Sequence, residues 1–164
     1  MRRILALSAA ALIAVGATSA LAAPASVSVT VGPELQKKFD KTYGLREAQL
    51  LTADLQQSVE SALAKTAAHD GARIELVLTD VKPNRPTFKQ MADTPGLSMQ
   101  SFGIGGAAIE GRIVAADGRE SPVKYSWYEN DIQQSYGAWI WHDAEWTFDR
   151  FARRLAKGQE VARR

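Results

Sequence analysis

A long amphipathic helix lies between two strand-like segments in the first half of the chain. Residues 26–31 alternate polar side chains with valines, which predicts a half-buried strand. Residues 45–66 repeat apolar side chains every three or four positions, which predicts a helix with one buried face. Residues 72–81 predict a second strand, apolar on both sides and therefore central in a sheet. Such a strand–helix–strand unit predicts a parallel pair with a right-handed crossover.

The second half of the chain predicts a hairpin followed by a second helix. Asp117-Gly118 lies between two strand-like runs within residues 101–129, and this dipeptide is a strong hairpin signal. Residues 144–157 carry another apolar stripe, and Asp143 is placed to cap the first turn of that helix. The predicted fold class is therefore α+β, a mixed four-stranded sheet with elements in the order β-α-β-β-β-α and two helices packed on one face.

Residues 1–22 have the three parts of a cleavable signal peptide. Two arginines follow the first Met, an apolar stretch runs from there to Ala17, and a small-x-small pattern ends at Ala22. The apolar stretch is shorter than the roughly 20 residues that cross a bilayer. We therefore expect Sec-type export to the periplasm, with no stable membrane insertion after the signal is removed. The remaining chain predicts a single α+β domain over residues 23–158 and a disordered tail over residues 159–164.

The predicted mature chain contains equal numbers of basic and acidic side chains. Two of the 20 Lys and Arg residues lie in the predicted signal peptide, which leaves 18 against 18 Asp and Glu. The excess of positive charge in the whole chain therefore gives no argument for a nucleic-acid partner. The sequence contains no cysteine, so its stability depends on an apolar core rather than on disulfides.

No catalytic or cofactor-binding motif is complete in the sequence. The chain lacks a G-x-S-x-G elbow, a P-loop and an H-E-x-x-H helix, and it has only two histidines. Residues 103–108, GIGGAA, partly match a dinucleotide-binding turn, but strand-like alternation follows where that turn needs a helix. These glycines favour a bulge or a close approach of another backbone instead. We expect no cofactor and no metal.

A proline-stiffened loop offers the first candidate binding residues. Residues 82–100 form a long connection in which Pro83 and Pro86 flank Asn84 and Arg85. A guanidinium presented in this way suits recognition of a carboxylate or a phosphate. The alternative is an ion pair from Arg85 to Asp80 or Asp93 that fastens the loop to the domain.

Aromatic side chains crowd the last third of the chain and give the remaining candidates. All four tryptophans lie between residues 127 and 146, and Trp139, Trp141 and Trp146 are the candidate binding residues among them. Exposed rings of this kind stack on sugars or anchor protein interfaces. The alternative is a core between the last helix and the hairpin, and Trp146 is the ring expected to be partly exposed because it lies off the apolar stripe.

The layout resembles a group of small exported proteins of Gram-negative proteobacteria that carry a domain of unknown function. The resemblance spans residues 27–158. The segments that carry it are the strand at Val27, Tyr43-Gly44, Thr79-Asp80-Val81, Ile104-Gly105-Gly106-Ala107 and Asp117-Gly118. The layout is also similar to that of periplasmic accessory lipoproteins, from which this chain departs because it has no cysteine to lipidate. The resemblance implies no catalytic residues.

Two functional hypotheses follow. The first is a non-enzymatic periplasmic accessory or binding protein, with a working surface formed by the 82–100 loop and the aromatic segment 136–146. Its partner would be an envelope protein or a cell-wall component. The second is a hydrolase of cell-wall sugar or peptide that uses Glu129, Asp131, His142 or Asp143, which requires those groups to converge in one cleft. The sequence does not predict the oligomeric state.

Overall fold

The fold was obtained from a computed structural model that describes residues 26–66 and 68–159. The predicted signal peptide lies outside the described residues, as does the predicted tail apart from Gln159. In chain order the elements are β1 Ser26–Val31, α1 Pro33–Lys38, a π-helical segment Phe39–Tyr43, α2 Leu45–Leu63, β2 Arg73–Lys82, α3 Phe88–Asp93, β3 Gly106–Val114, β4 Glu120–Tyr128, a 3-10 turn Ile132–Ser135 and α4 His142–Ala156.

The four strands form one mixed sheet in the order β1-β2-β3-β4. β1 and β2 are parallel and are connected through α2, whereas β3 is antiparallel to both of its neighbours. The β3–β4 connection turns at Gly118, whose φ of 85° lies in the left-handed region that glycine adopts without strain. The α+β fold class, the central position of β2 and the Asp117-Gly118 hairpin are confirmed.

The core lies between one face of the sheet and the pair α2 and α4. Alternate residues of β2 point toward the helices and are almost completely buried, because side chains of a strand alternate between the two faces of the sheet. The fully buried side chains that fill this layer are Ile74, Leu76 and Leu78 of β2, Leu51, Leu55 and Val59 of α2, Ile109 of β3, and Phe148, Phe151 and Leu155 of α4. The predicted arrangement of two helices on one face is confirmed.

The opposite face of the sheet carries charged side chains. Arg112 donates to Glu75 at 2.7 Å and to Glu120 at 3.3 Å, and Lys124 lies 2.9 Å from Glu110. These pairs are exposed, and exposed pairs contribute at most about 1 kcal/mol each. The helix-covered face therefore supplies most of the stability.

Two segments differ from the sequence-based expectation. The connection after β2 contains α3, whose start is fixed by a reciprocal capping box between Thr87 and Gln90. The final helix begins at His142 rather than Ala144, and Asp143 does not cap it. The prediction for Asp143 was wrong because its side chain bonds to other segments of the chain. Within residues 26–66 and 68–159, no helix combines the length and apolar character needed to cross a membrane.

Candidate functional site

Asn84 is the centre of a buried polar network at one end of the sheet. Only 1% of its surface is exposed. Its Nδ2 donates to Asp143 Oδ2 at 2.6 Å, and its Oδ1 accepts from the Asp143 backbone N–H at 2.9 Å. Its own backbone N–H donates to the Ile140 carbonyl at 2.7 Å, and its carbonyl accepts from Gly103 at 2.8 Å. Asn84 is therefore not a surface residue for ligand contact; it ties three segments of the chain together.

The glycines within residues 103–108 were predicted to allow the close approach of another backbone, and this prediction is confirmed. The Gly105 N–H donates to Asp143 Oδ2 at 2.9 Å, and a Cβ at Gly105 would lie 2.6 Å from Asn84 Oδ1. A Cβ at Gly106 would lie 2.3 Å from the Trp127 carbonyl oxygen. β3 begins at Gly106 and no helix follows the run, so the dinucleotide-binding geometry is not formed.

Arg85 fastens the long loop to backbone carbonyls rather than to carboxylates. Its Nε donates to the Ala138 carbonyl and its Nη1 to the Met99 carbonyl. The expected acidic partners are engaged elsewhere, since Asp80 pairs with Lys38 and Asp93 with Lys89. The predicted ion pair is therefore wrong, although the predicted role of fastening the loop is confirmed.

The two loops joined by Arg85 carry three exposed apolar side chains, Met99, Phe102 and Tyr136, and we call these three together with the partly buried Arg85 the Arg85 platform. The rings of Phe102 and Tyr136 meet edge to face with centroids 6.0 Å apart, and the Arg85 guanidinium lies 5.9 Å from the Phe102 ring. Phe102 is 43% exposed and Tyr136 is 81% exposed. The platform thus combines fixed backbone with rings that face solvent.

The three candidate tryptophans have different environments. Trp141 is 3% exposed, donates from Nε1 to Glu47 at 2.6 Å and packs edge to face on Tyr43. It belongs to the core, so the expectation of Trp141 as a surface binding residue was wrong. Trp139 is 57% exposed and Trp146 is 45% exposed, and the prediction that Trp146 is partly exposed is confirmed.

Trp139 also lines a groove of about 790 Å³ between α2 and α4, which we call the α2–α4 groove. The groove has both acidic and basic lining residues, and Asp54 and Asp149 lie close enough to Glu145 to repel its charge. The charged lining residues are Asp54, Glu145, Asp149, Lys65, Arg153 and Lys157. Tyr136 of the platform and Trp139 of the groove lie three residues apart in one short segment.

Glu145 is the most perturbed carboxyl of the groove. Burial, together with repulsion from Asp54 and Asp149, raises its pKa from 4.5 to about 7, while a hydrogen bond from Trp139 acts in the opposite direction. Burial also raises the pKa of Asp54. Glu145 therefore exchanges a proton near neutral pH.

The residues named for the hydrolase hypothesis are occupied separately. Glu129 accepts from the backbone N–H groups of Asn130 and Asp131, and Asp131 accepts from that of Gln133. Asp143 is held in the buried Asn84 network, and His142 is exposed beside Trp146. None of the four lines the α2–α4 groove. The structure thus provides no shared cleft among them in the part of the chain that it describes.

Metal-binding groups do not converge in the described structure. Across residues 26–66 and 68–159, no three His, Asp or Glu side chains are grouped so that they could hold an ion. Comparisons with protein-family models and with curated proteins give no match to the chain. The function must therefore be inferred from the geometry of the platform and the groove.

Sequence reasoning missed Met99 and Phe102. Both lie in residues 94–105, a stretch rich in Gly and Ser that forms a loop before β3. The signal that could have identified them is the presence of large apolar residues in a loop composition that is otherwise polar, because such loops run over the surface.

Proposed function

We propose that this chain is an exported, non-enzymatic binding protein whose Arg85 platform recognises an apolar surface of another envelope protein. The observation that carries the proposal is the exposure of Phe102 and Tyr136 in mutual contact on a backbone fixed by Arg85. Aromatic residues, Met and Arg are the residue types enriched at protein–protein interfaces. The four members of the platform are all of these types.

The fixed backbone is the second argument for binding. Immobilising a flexible loop at an interface costs free energy that is subtracted from affinity. Here Arg85 already joins the loop that carries Met99 to the segment that carries Ala138, and Asn84 bonds to the same two loops. The platform therefore meets a partner with little further ordering of its backbone.

The location of the partner follows from the N-terminal segment. Residues 1–22 predict Sec-type export, and this part of the proposal rests on the sequence alone. A partner in the periplasm or exposed to it is the class that an exported platform would meet.

The test is affinity capture from an envelope extract of the native host by the immobilised domain. We expect the unaltered chain to retain a specific protein and the double variant Phe102→Ser, Tyr136→Ser to lose it. Both positions are exposed, so these substitutions do not disturb the core. The matched control is Leu50→Ser, an exposed apolar residue of α2 outside the platform. Identical captured proteins for the unaltered chain and the double variant would refute the proposal.

A further inference from the structure

The second half of α4 presents a row of cations that the proposed platform does not use. Arg150, Arg153, Arg154 and Lys157 are exposed, and both Arg153 and Arg154 lie three or four residues from Arg150 and from Lys157, so the four occupy neighbouring parts of the helix surface. Together with Tyr125 and Gln159 they line a cavity of about 310 Å³, which we call the arginine cavity. This volume is at the lower end of the range for small-ligand sites.

Two guanidinium groups of the arginine cavity are held by aromatic rings rather than by acids. Arg150 lies 4.8 Å from the Trp127 ring and 5.5 Å from the Trp146 ring, and Arg154 lies 5.6 Å from the Tyr125 ring. Stacking of this kind orients the plane of a guanidinium but leaves its N–H donors unused. The donors are therefore oriented before any ligand binds.

The cations of the arginine cavity have no carboxylate partners among residues 26–66 and 68–159. Several Lys and Arg side chains elsewhere in that part of the chain pair with Asp or Glu, whereas none of the four does so within 4.0 Å. The acid one turn before Arg153 is Asp149, which accepts a hydrogen bond from Ser58 at 3.4 Å. Among the described residues, these four positive charges exceed the roughly half negative charge that the helix C-terminus contributes.

We propose that the arginine cavity binds a phosphate group with two or more negative charges. Guanidinium groups match the oxygens of phosphate through paired N–H donors, and four cations exceed the single charge of a carboxylate. The source of the phosphate is either a soluble phosphorylated compound or a lipid headgroup that ends in a phosphate monoester. This inference is independent of the platform, which lies on other segments of the chain.

The experiment is a titration of the purified protein with pyrophosphate at low salt, in which the heat of binding is measured by calorimetry. We expect binding by the unaltered protein and at least a tenfold increase in Kd for the double variant Arg153→Gln, Arg154→Gln. The matched control Arg46→Gln removes an exposed arginine of α2 that lies outside the cavity, and its Kd is expected to equal that of the unaltered protein. Positions 46, 153 and 154 are exposed. The melting temperature of each variant is measured to check that it is folded.

Vesicle binding separates the two sources. Binding to vesicles that contain phosphatidic acid, a phosphate monoester, but not to phosphatidylcholine vesicles, with competition by pyrophosphate, would assign the site to a lipid headgroup. Pyrophosphate binding without vesicle binding would assign it to a soluble compound. The inference is overturned if pyrophosphate does not bind, if acetate binds equally well, or if Arg46→Gln weakens binding as much as the double variant.

Discussion

Asn84 and Asp143 exchange two hydrogen bonds inside the domain, although 59 positions separate them in the sequence. The side chain of Asn84 donates to the Asp143 carboxylate, and the Asp143 backbone donates to the Asn84 side chain. The same carboxylate oxygen accepts from Gly105 at 2.9 Å. The start of α4 is thereby joined to the loop after β2 and to the residue before β3. This connection positions both loops of the Arg85 platform.

Replacing Asn84 by Ala removes its side-chain hydrogen bonds from the interior, which include both bonds to Asp143 and one to the Gly103 carbonyl. The variant leaves the Asp143 N–H without its acceptor and takes one donor from a buried carboxylate, and such losses cost about 2–4 kcal/mol in total. Urea unfolding should show this decrease in the free energy of unfolding. The exposed Asn130→Ala serves as the control, with an expected change below about 0.5 kcal/mol. A loss of the same small size at Asn84 would mean that the network does not stabilise the fold.

Gly105→Ala and Gly103→Ala form a matched pair that differs in available space. A Cβ at Gly105 would press on the Asn84 side chain at 2.6 Å, whereas a Cβ at Gly103 meets no atom within 4 Å. We expect a loss of about 1–3 kcal/mol for Gly105→Ala, as is usual for overpacking, and almost none for Gly103→Ala. Equal melting temperatures for the two variants would contradict the close approach of Gly105 to Asn84.

Arg85→Lys keeps the charge but removes the planar fork that reaches two carbonyls. We expect the loop around Met99 and the segment around Ala138 to open more often, because each loses its hydrogen bond from the Arg85 guanidinium. Hydrogen exchange of the amides in residues 99–103 should become faster, while exchange in β2 stays unchanged. Arg46→Lys is the control on α2. Unchanged exchange in the loop would show that Arg85 does not fix the platform.

Glu145→Gln should alter the pH dependence of stability. The pKa of Glu145 is raised in the folded chain, from 4.5 to about 7, so the folded chain binds a proton more tightly than the unfolded chain. The contribution of Glu145 to stability is therefore complete below about pH 4.5 and is lost as the pH rises through 7.

Solvent screens the partly exposed Glu145. The expected decrease in the free energy of unfolding is therefore about 1 kcal/mol, which is smaller than the pKa shift alone implies. Glu145→Gln should therefore gain stability relative to the unaltered protein between pH 5 and pH 8. Melting temperatures across this range measure the gain. A difference in melting temperature between the two proteins that stays constant from pH 5 to pH 8 would show that Glu145 does not titrate in this range.

The sheet and its two helices were predictable because each has a local signal. The apolar repeat of α2, the alternation in β1 and the Asp117-Gly118 turn are each contained within a few neighbouring residues, and the fold follows from their order. Trp146 was predictable for the same reason, since it lies off the buried stripe of α4.

The candidate site was less predictable because it depends on contacts between distant residues. The sequence shows that Pro83 and Pro86 present Asn84 and Arg85, but not that Asn84 turns inward to meet Asp143. It also places Trp139 and Trp141 on one face if that stretch is extended. The segment instead turns before α4, so that one ring is exposed and the other is buried.

Photocrosslinking from position 136 in the native host tests the central claim most directly. A photoreactive phenylalanine analogue in place of Tyr136 should form an adduct with one envelope protein, and Phe102→Ser in the same chain should abolish that adduct. The analogue at position 88, an exposed Phe outside the platform, is the control and should not form it. The same adduct from both positions, or none from position 136, would contradict recognition through the Arg85 platform.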